Sequence, residues 1–270
     1  MGKVVVVTGG SSGIGAAAAR ALRAAGAHVV ITGRSPETQR FGAEIDADAY
    51  LVDYTRFAEV RGFAERLLAK YSRIDALVNN VGGIFGERRI TPDGHEMTLQ
   101  VNHLSGFLLT NLLRDRLEAS QAVVVNTASA ANRFGRIDFD DLESTRAYNP
   151  MRAYATSKLM NILHAMEVTR RFDGVPAASF HPGGVATGFA RDGRGVVRWI
   201  YQGPLKRLFL ISPEKSIDTL LWLLQGVPTR DWTPGEYYYK RKPGRRSAQA
   251  TPTVAQPLWE ASVELLGSAG

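Results

Sequence analysis

The chain has 270 residues, 44% of them hydrophobic, and no cysteine, which gives ample core for one large α/β unit and excludes a disulfide scaffold, thiol catalysis and cysteine zinc sites. Its five histidines show no paired ligand spacing, so no metal is expected. The net charge of +7 suits an anionic ligand, but basic residues are spread along the chain, and the densest group, Lys240-Arg241-Lys242 with Arg245-Arg246, reads as a solvated loop and not as a nucleic-acid surface. The first strand is expected from Lys3, with no leader before it, and no apolar run approaches the ~20 residues of a membrane helix. A soluble, cytoplasmic protein without an integral membrane segment is expected.

Val4 to Val7 is β-branched and apolar on both faces, as suits a strand at the centre of a parallel sheet. It runs through Thr8, Gly9, Ser11, Ser12, Gly13, Ile14 and Gly15 into the alanine-rich helix Ala16 to Ala25. Strand, glycine turn and helix together aim backbone N–H groups and a positive dipole end at one point, where the pyrophosphate of a dinucleotide can dock.

His28 to Thr32 is a second strand, ended by Gly33-Arg34-Ser35-Pro36 before a helix at Glu37. An acidic residue about 20 positions after the glycine turn binds the ribose 2′-hydroxyl of NAD, whereas an arginine accommodates the 2′-phosphate of NADP. Arg34 points to NADP. A third strand, Ala49 to Val52, ends in Asp53, and Phe57 to Tyr71 has helical periodicity. The fourth strand, Ile74 to Val78, runs into Asn79-Asn80-Val81-Gly82-Gly83 at the end of the sheet where a ligand crevice lies. Thr91 to Leu117 reads as one long helical region carrying Asn102. Ala122 to Val125 is a fifth strand leading to Ser129, and Val175 to Phe180 is a sixth leading to His181-Pro182-Gly183-Gly184-Val185-Ala186-Thr187. A helix over Ser212 to Leu224 and a seventh strand over Glu236 to Lys240 complete the pattern. The β-α alternation predicts a single Rossmann-type, doubly wound parallel sheet of seven strands with helices on both faces, spanning residues 1–270 as one NADP-binding domain.

Tyr154-Ala155-Thr156-Ser157-Lys158 is followed by apolar residues at helical spacing, so the phenol of Tyr154 and the ammonium of Lys158 share a helix face. A second copy, Tyr238 with Lys242, lies in a strand-like setting, where residues four apart are separated by about 13 Å; it reads as structural. Reduction of a carbonyl needs a proton donor at oxygen, and tyrosine near its reference pKa of ~10 is a poor acid–base group at pH 7. Lowering that value by ~2–3 units takes roughly 3–4 kcal/mol of preference for the phenolate, which a neighbouring cation can supply.

Thr8-Gly9-x3-Gly13-Ile14-Gly15, Asn79-Asn80-x-Gly82, Asn102, Ser129 and Tyr154-x3-Lys158, in that order, resemble the short-chain dehydrogenases/reductases of the classical type along nearly the full length. Val101-Asn102-His103-Leu104, the long gap from Ser129 to Tyr154 and the ending Leu258-Trp259-Glu260 are similar to the retinol dehydrogenase-like branch, which includes protochlorophyllide reductase relatives. The resemblance implies a catalytic tetrad of Asn102, Ser129, Tyr154 and Lys158, with Asn102 holding a water that links Lys158 to solvent. It also implies cofactor contacts from Asp53 at the adenine, from Asn80, Val81 and Gly82, and from Pro182, Gly183, Val185 and Thr187 at the nicotinamide. It makes a homodimer or homotetramer plausible. His103 reads as a packing residue and His181 as a residue that shapes the turn.

The function these residues imply is NADP(H)-dependent interconversion of an alcohol and a ketone or aldehyde, with Tyr154 as acid/base. Residues 187–211 join a polar start, Arg191 to Gly195, to apolar Trp199, Ile200, Tyr201, Leu208 and Phe209; they read as a lid with an apolar wall, which favours a hydrophobic small-molecule substrate. The insertion Arg133 to Met151 is expected beside the active site. Two alternatives stay open: reduction of a conjugated C=C bond, and a non-catalytic dinucleotide-sensing regulator on the same fold.

Overall fold

The computed structural model describes residues 2–183 and 216–267. Strands β1 (Val4–Val7), β2 (His28–Gly33), β3 (Asp48–Leu51), β4 (Ala76–Asn79), β5 (Val123–Thr127), β6 (Ala177–Phe180), β7 (Tyr237–Tyr239) and β8 (Lys242–Pro243) form one sheet in the order β3-β2-β1-β4-β5-β6-β7-β8. Every pairing is parallel up to β7, and only β7 with β8 is antiparallel. The sheet has eight strands and not the expected seven, because Lys240 and Arg241 both adopt positive φ (52° and 59°) and fold the chain back into a tight hairpin.

Alternation along the strands divides the core. Val6, Val30, Leu77, Val124, Ala177 and Tyr237 face one layer, built by α3 (Phe57–Lys70), α5 (Ser105–Leu112), α7 (Pro150–Arg171) and α9 (Pro252–Gly267). Val5, Val7, Val29, Ile31, Val78, Val125, Phe180 and Tyr238 face the other, built by α1 (Gly13–Ala24) and α8 (Asp218–Gln225). Among the described residues the other α-helices are α2 (Glu37–Glu44), α4 (Met97–Leu99) and α6 (Arg114–Ser120). Since the strands are parallel and the order reverses between β1 and β4, the carboxyl ends of these two strands open a crevice on one edge of the sheet.

Thr91 to Leu117 is not one helix. Glu96 caps α4 by accepting from the amides of Thr98 and Leu99, and a π-helical turn follows at Gln100–Leu104; the helix then breaks again between α5 and α6. Periodicity cannot register such an insertion, since apolar residues on both sides of it still face the core. Residues 184–215 lie outside the described part, and with them Val185, Thr187, the expected lid and the start of the Ser212 helix. Among the described residues no helix is long and apolar enough to cross a membrane.

Candidate active site

The glycine turn is built as a cradle. Gly9 and Gly13 hold φ of 63° and 53°, where a side chain is strained, and a Cβ on Gly15 would lie 2.2 Å from the Gly9 carbonyl oxygen. Helix α1 starts behind it with Ser12 as N-cap, whose side chain makes no capping bond, and with no acidic residue in the first turn. Its leading N–H groups and positive dipole end are therefore free for an anion, and this donor set fits the pyrophosphate of a dinucleotide.

Thr8 ties the turn to β4: its hydroxyl donates to Val78 O (3.2 Å) and accepts from the amides of Asn80 (2.9 Å) and Val81 (3.2 Å). The Asn80 amide returns a bond to Thr8 O (3.0 Å), and its oxygen accepts from Thr127 Oγ1 (3.2 Å), which links β1, β4 and β5 at their carboxyl ends. On the β2 side, Gly9 N and Gly10 N donate to the hydroxyl and carbonyl of Thr32, and Thr32 in turn meets the buried Tyr54 hydroxyl at 2.9 Å. Arg34 stands exposed just past this point with no ion pair among the described residues. Asp53, two residues past β3, accepts from Thr55 through its backbone amide (3.0 Å) and hydroxyl (2.8 Å), which fixes the carboxylate.

The proposed tetrad comes from three elements. Tyr154 and Lys158 sit one turn apart on α7, whose start is set by Asn149 accepting from the amides of Met151 and Arg152 with Pro150 at the first position. Lys158 Nζ lies 5.6 Å from the centre of the Tyr154 ring. The ammonium is 1% exposed and donates to Thr127 O (3.0 Å); burial alone pulls its pKa down to about 8. Asn102, in the π turn, uses both ends of its amide: the nitrogen donates to Gly83 O (3.0 Å) and Ser157 Oγ (2.9 Å), and the oxygen accepts from Gly83 N (2.9 Å). A Cβ on Gly82 would sit 3.0 Å from Asn102 Oδ1 and 3.1 Å from Lys158 Nζ, so both groups converge beside that glycine.

Ser129 follows β5 and caps the short 3₁₀ helix Ala130–Phe134. Its oxygen accepts from Ala131 N (3.2 Å), which leaves the hydroxyl proton for another acceptor. That helix is pressed onto α7: a Cβ on Gly135 would lie 2.5 Å from Ala155 O, and Arg136 and Thr156 exchange two hydrogen bonds. Ser129 thus enters on the segment packed against the Tyr154 turn. At β6, Gly183 takes φ of 88° and donates to His181 Nδ1 (3.2 Å), while the His181 ring stacks on Tyr239 at 4.9 Å; burial lowers the imidazole to about 4. The insertion after Ser129 is clipped to the segment following β4, since Glu143 meets His95 (2.7 Å) and Glu96 N (2.6 Å), and Tyr148 donates to Phe85 O (3.1 Å).

Sequence reasoning missed the polar bed under the tetrad. Asn79 donates to Asn126 (3.0 Å), Asn126 donates to Asn161 O (3.0 Å) and meets His164 Nδ1 (3.1 Å), and Asn161 donates to Thr127 O, the same carbonyl that holds Lys158. These residues enclose a cavity of about 10 Å³ with Thr8, Asn102 and His103. The signal available for them was polarity at positions where the strand and helix periods demand burial. His103 is a packing residue anchored from afar: it donates from Nε2 to Ser262 on α9 (3.0 Å), whose own proton goes to Leu258 O.

A family model described as short chain dehydrogenase matches residues 3–194. The chain is 44% identical over 280 residues to a Streptomyces sp. (strain C5) protein named "Putative daunorubicin C-13 ketoreductase DnrU", covering 98% of this chain and 93% of that one. It is 36% identical over 280 residues to human retinol dehydrogenase 11, covering 98% and 86%. A solved structure of an uncharacterized Mycobacterium paratuberculosis protein superposes with a TM-score of 0.77 at 29% identity, covering 98% and 93%.

Proposed function

The chain belongs to the short-chain dehydrogenase/reductase family and is an oxidoreductase, and from that premise we propose that it is an NADP(H)-dependent enzyme interconverting a hydrophobic alcohol and its ketone or aldehyde. The observation that carries this reading is the fully buried Lys158 ammonium one turn from Tyr154, with Asn102 beside it at Gly82. The nicotinamide, when bound, supplies or accepts the hydride. Tyr154 donates the proton to the carbonyl oxygen, and Ser129, with its hydroxyl proton uncommitted to the cap, donates a second hydrogen bond to the same oxygen. Lys158 favours the phenolate left behind, in a site too dry to screen the charge. Asn102 clamps Gly83 and Ser157, and so fixes the backbone around the pair.

The open α1 N-terminus, Thr8, Gly9, Ser11, Ser12, Gly13, Ile14 and Gly15 would hold the pyrophosphate. Asp53, Asn80, Val81 and Gly82 would line the adenosine and nicotinamide-ribose side, Pro182, Gly183, Val185 and Thr187 would face the nicotinamide, and Arg34 would pair with the 2′-phosphate. The names of the Streptomyces and human relatives, a ketoreductase and a retinol dehydrogenase, support a bulky apolar carbonyl compound as substrate. A lid at 187–211, one domain over 1–270 and a cytoplasmic homodimer or homotetramer complete the proposal. Its test is NADPH oxidation across aldehydes, ketones and enones of graded size, with product identification. Alcohol products from apolar ketones are expected, whereas saturated ketones from enones would favour C=C reduction, and tight NADPH binding without turnover would favour a regulator. Arg34→Ala is expected to cost about 10- to 150-fold in NADPH affinity, the worth of one charge-assisted contact, and to leave NADH binding unchanged.

A further inference from the structure

Gly33 ends β2 at the place where dinucleotide sites that select NAD carry an acidic residue. Its backbone does not call for glycine: φ lies outside the positive region, and the residue keeps its strand pairing with Leu51. What excludes a side chain is its surroundings. A Cβ at position 33 would stand 2.1 Å from Thr38 Oγ1, 3.2 Å from Thr38 Cβ and 2.5 Å from Ser11 Oγ. A glycine in a strand without special φ marks such a close approach.

Burial and a hydrogen bond hold the nearer of the two hydroxyls in place. Thr38 is 0% exposed in the first turn of α2, where a threonine is confined to two rotamers and burial restricts the choice further. Its hydroxyl donates to Ser11 Oγ (3.1 Å), while Gly9 N and Gly10 N bind Thr32 one residue before Gly33. The phosphate turn, the end of β2 and the start of α2 are thereby sewn together around an empty Cβ position.

We propose that Thr38, acting through Ser11, keeps position 33 free of a side chain and so bars a carboxylate from the ribose 2′ end of the cofactor site, leaving Arg34 to read a phosphate there. Thr38 is a positioning residue for cofactor choice. The inference rests on the reading of this site as NADP-binding and adds the device that closes it to NAD-type recognition. It also implies that exchanging the reader alone cannot convert the enzyme, since the carboxylate has no place until the Thr38 hydroxyl is gone. Removing that hydroxyl clears the 2.1 Å contact and releases Ser11 to rotate.

The test is a double-variant cycle on the full chain, read by thermal melting and by NADPH and NADH affinity from nicotinamide fluorescence. Gly33→Ala is expected to melt several degrees below the wild type, and most of that loss is expected to return in Gly33→Ala/Thr38→Ala relative to Thr38→Ala. Gly33→Asp is expected to weaken both nucleotides about tenfold or more, and Gly33→Asp/Thr38→Ala to regain NADH so that its NADH-to-NADPH preference exceeds that of the single variant by about tenfold or more. Gly33→Ala melting with the wild type would overturn the proposal, as would Gly33→Asp alone binding NADH as tightly as the double variant, or a double variant no better than the single one. Equal binding of NADPH and NADH by wild type and Arg34→Ala would instead sink the NADP reading, and the melting cycle would still decide the packing at 33 and 38.

Discussion

The chain spells Tyr-x-x-x-Lys twice, and the two copies fold into opposite surroundings. Tyr154 and Lys158 lie on a helix, with the ammonium 1% exposed and its charge destabilised by burial. Tyr238 and Lys242 lie on the two arms of a hairpin: Tyr238 pairs with Pro243, Lys242 pairs with Tyr239, and Lys242 is exposed. The chain does not stay extended over those four residues, as a strand setting had suggested; it reverses at Lys240 and Arg241. The Tyr238 hydroxyl accepts from Thr233 N (2.7 Å) and faces Thr233 O (3.3 Å), so its bonding is spent inside the fold. The lesson is that the motif acts through the helical period and through burial. Spelling alone supplies neither.

The largest way to break the contrast is to remove each lysine. Lys158→Met is expected to lower turnover by about 10²- to 10⁴-fold, the usual worth of an acid–base group whose charge state is lost, while Lys242→Met leaves it within twofold. Stability should move the other way. Folding depresses the Lys158 pKa from 10.5 to about 8, so below about pH 8 both folded and unfolded chains carry the proton and the burial cost, about 3 kcal/mol, is present in full. Between about pH 8 and 10.5 the unfolded chain binds more protons, and stability rises with pH. Lys158→Met should therefore melt higher than the wild type at pH 7, and the difference should shrink as pH is raised toward 10.5. A methionine variant that melts lower at pH 7, with no pH trend, would contradict the burial argument.

A smaller effect is expected at the far side of the clamp. Ser262→Ala removes the acceptor of His103, the neighbour of Asn102 in the π turn, and leaves a buried imidazole N–H unpaired at a cost of about 1–3 kcal/mol. Turnover should fall severalfold with NADPH affinity unchanged, which steady-state kinetics beside fluorescence titration would separate. Smaller again, Tyr238→Phe gives up the exchange with Thr233 for about 1 kcal/mol in denaturant unfolding.

Much of the sheet was legible because β-branched runs such as Val5–Val7 and Val29–Thr32 are buried on both faces and leave the strand no other reading. The α7 pair was legible because its apolar residues keep the helical period around Tyr154 and Lys158. What stayed hidden depends on contacts distant in sequence. The π turn at Asn102 is held by Gly83 and Ser157, and Lys240 and Arg241 take a turn conformation that glycine or asparagine would have announced. Thr38 and Thr32 look like ordinary polar residues until the fold brings them to Ser11 and Gly9.

The most direct test sets Tyr154→Phe against Tyr238→Phe with one apolar ketone, following NADPH oxidation and NADPH affinity side by side. Loss of the phenol proton at 154 is expected to cut kcat by about 10²- to 10⁴-fold with NADPH still bound within severalfold of the wild type, and the same change at 238 to leave kcat within twofold. Equal losses at both tyrosines, or a Tyr154→Phe enzyme that keeps its rate, would contradict the claim that the buried helical pair is what moves the proton.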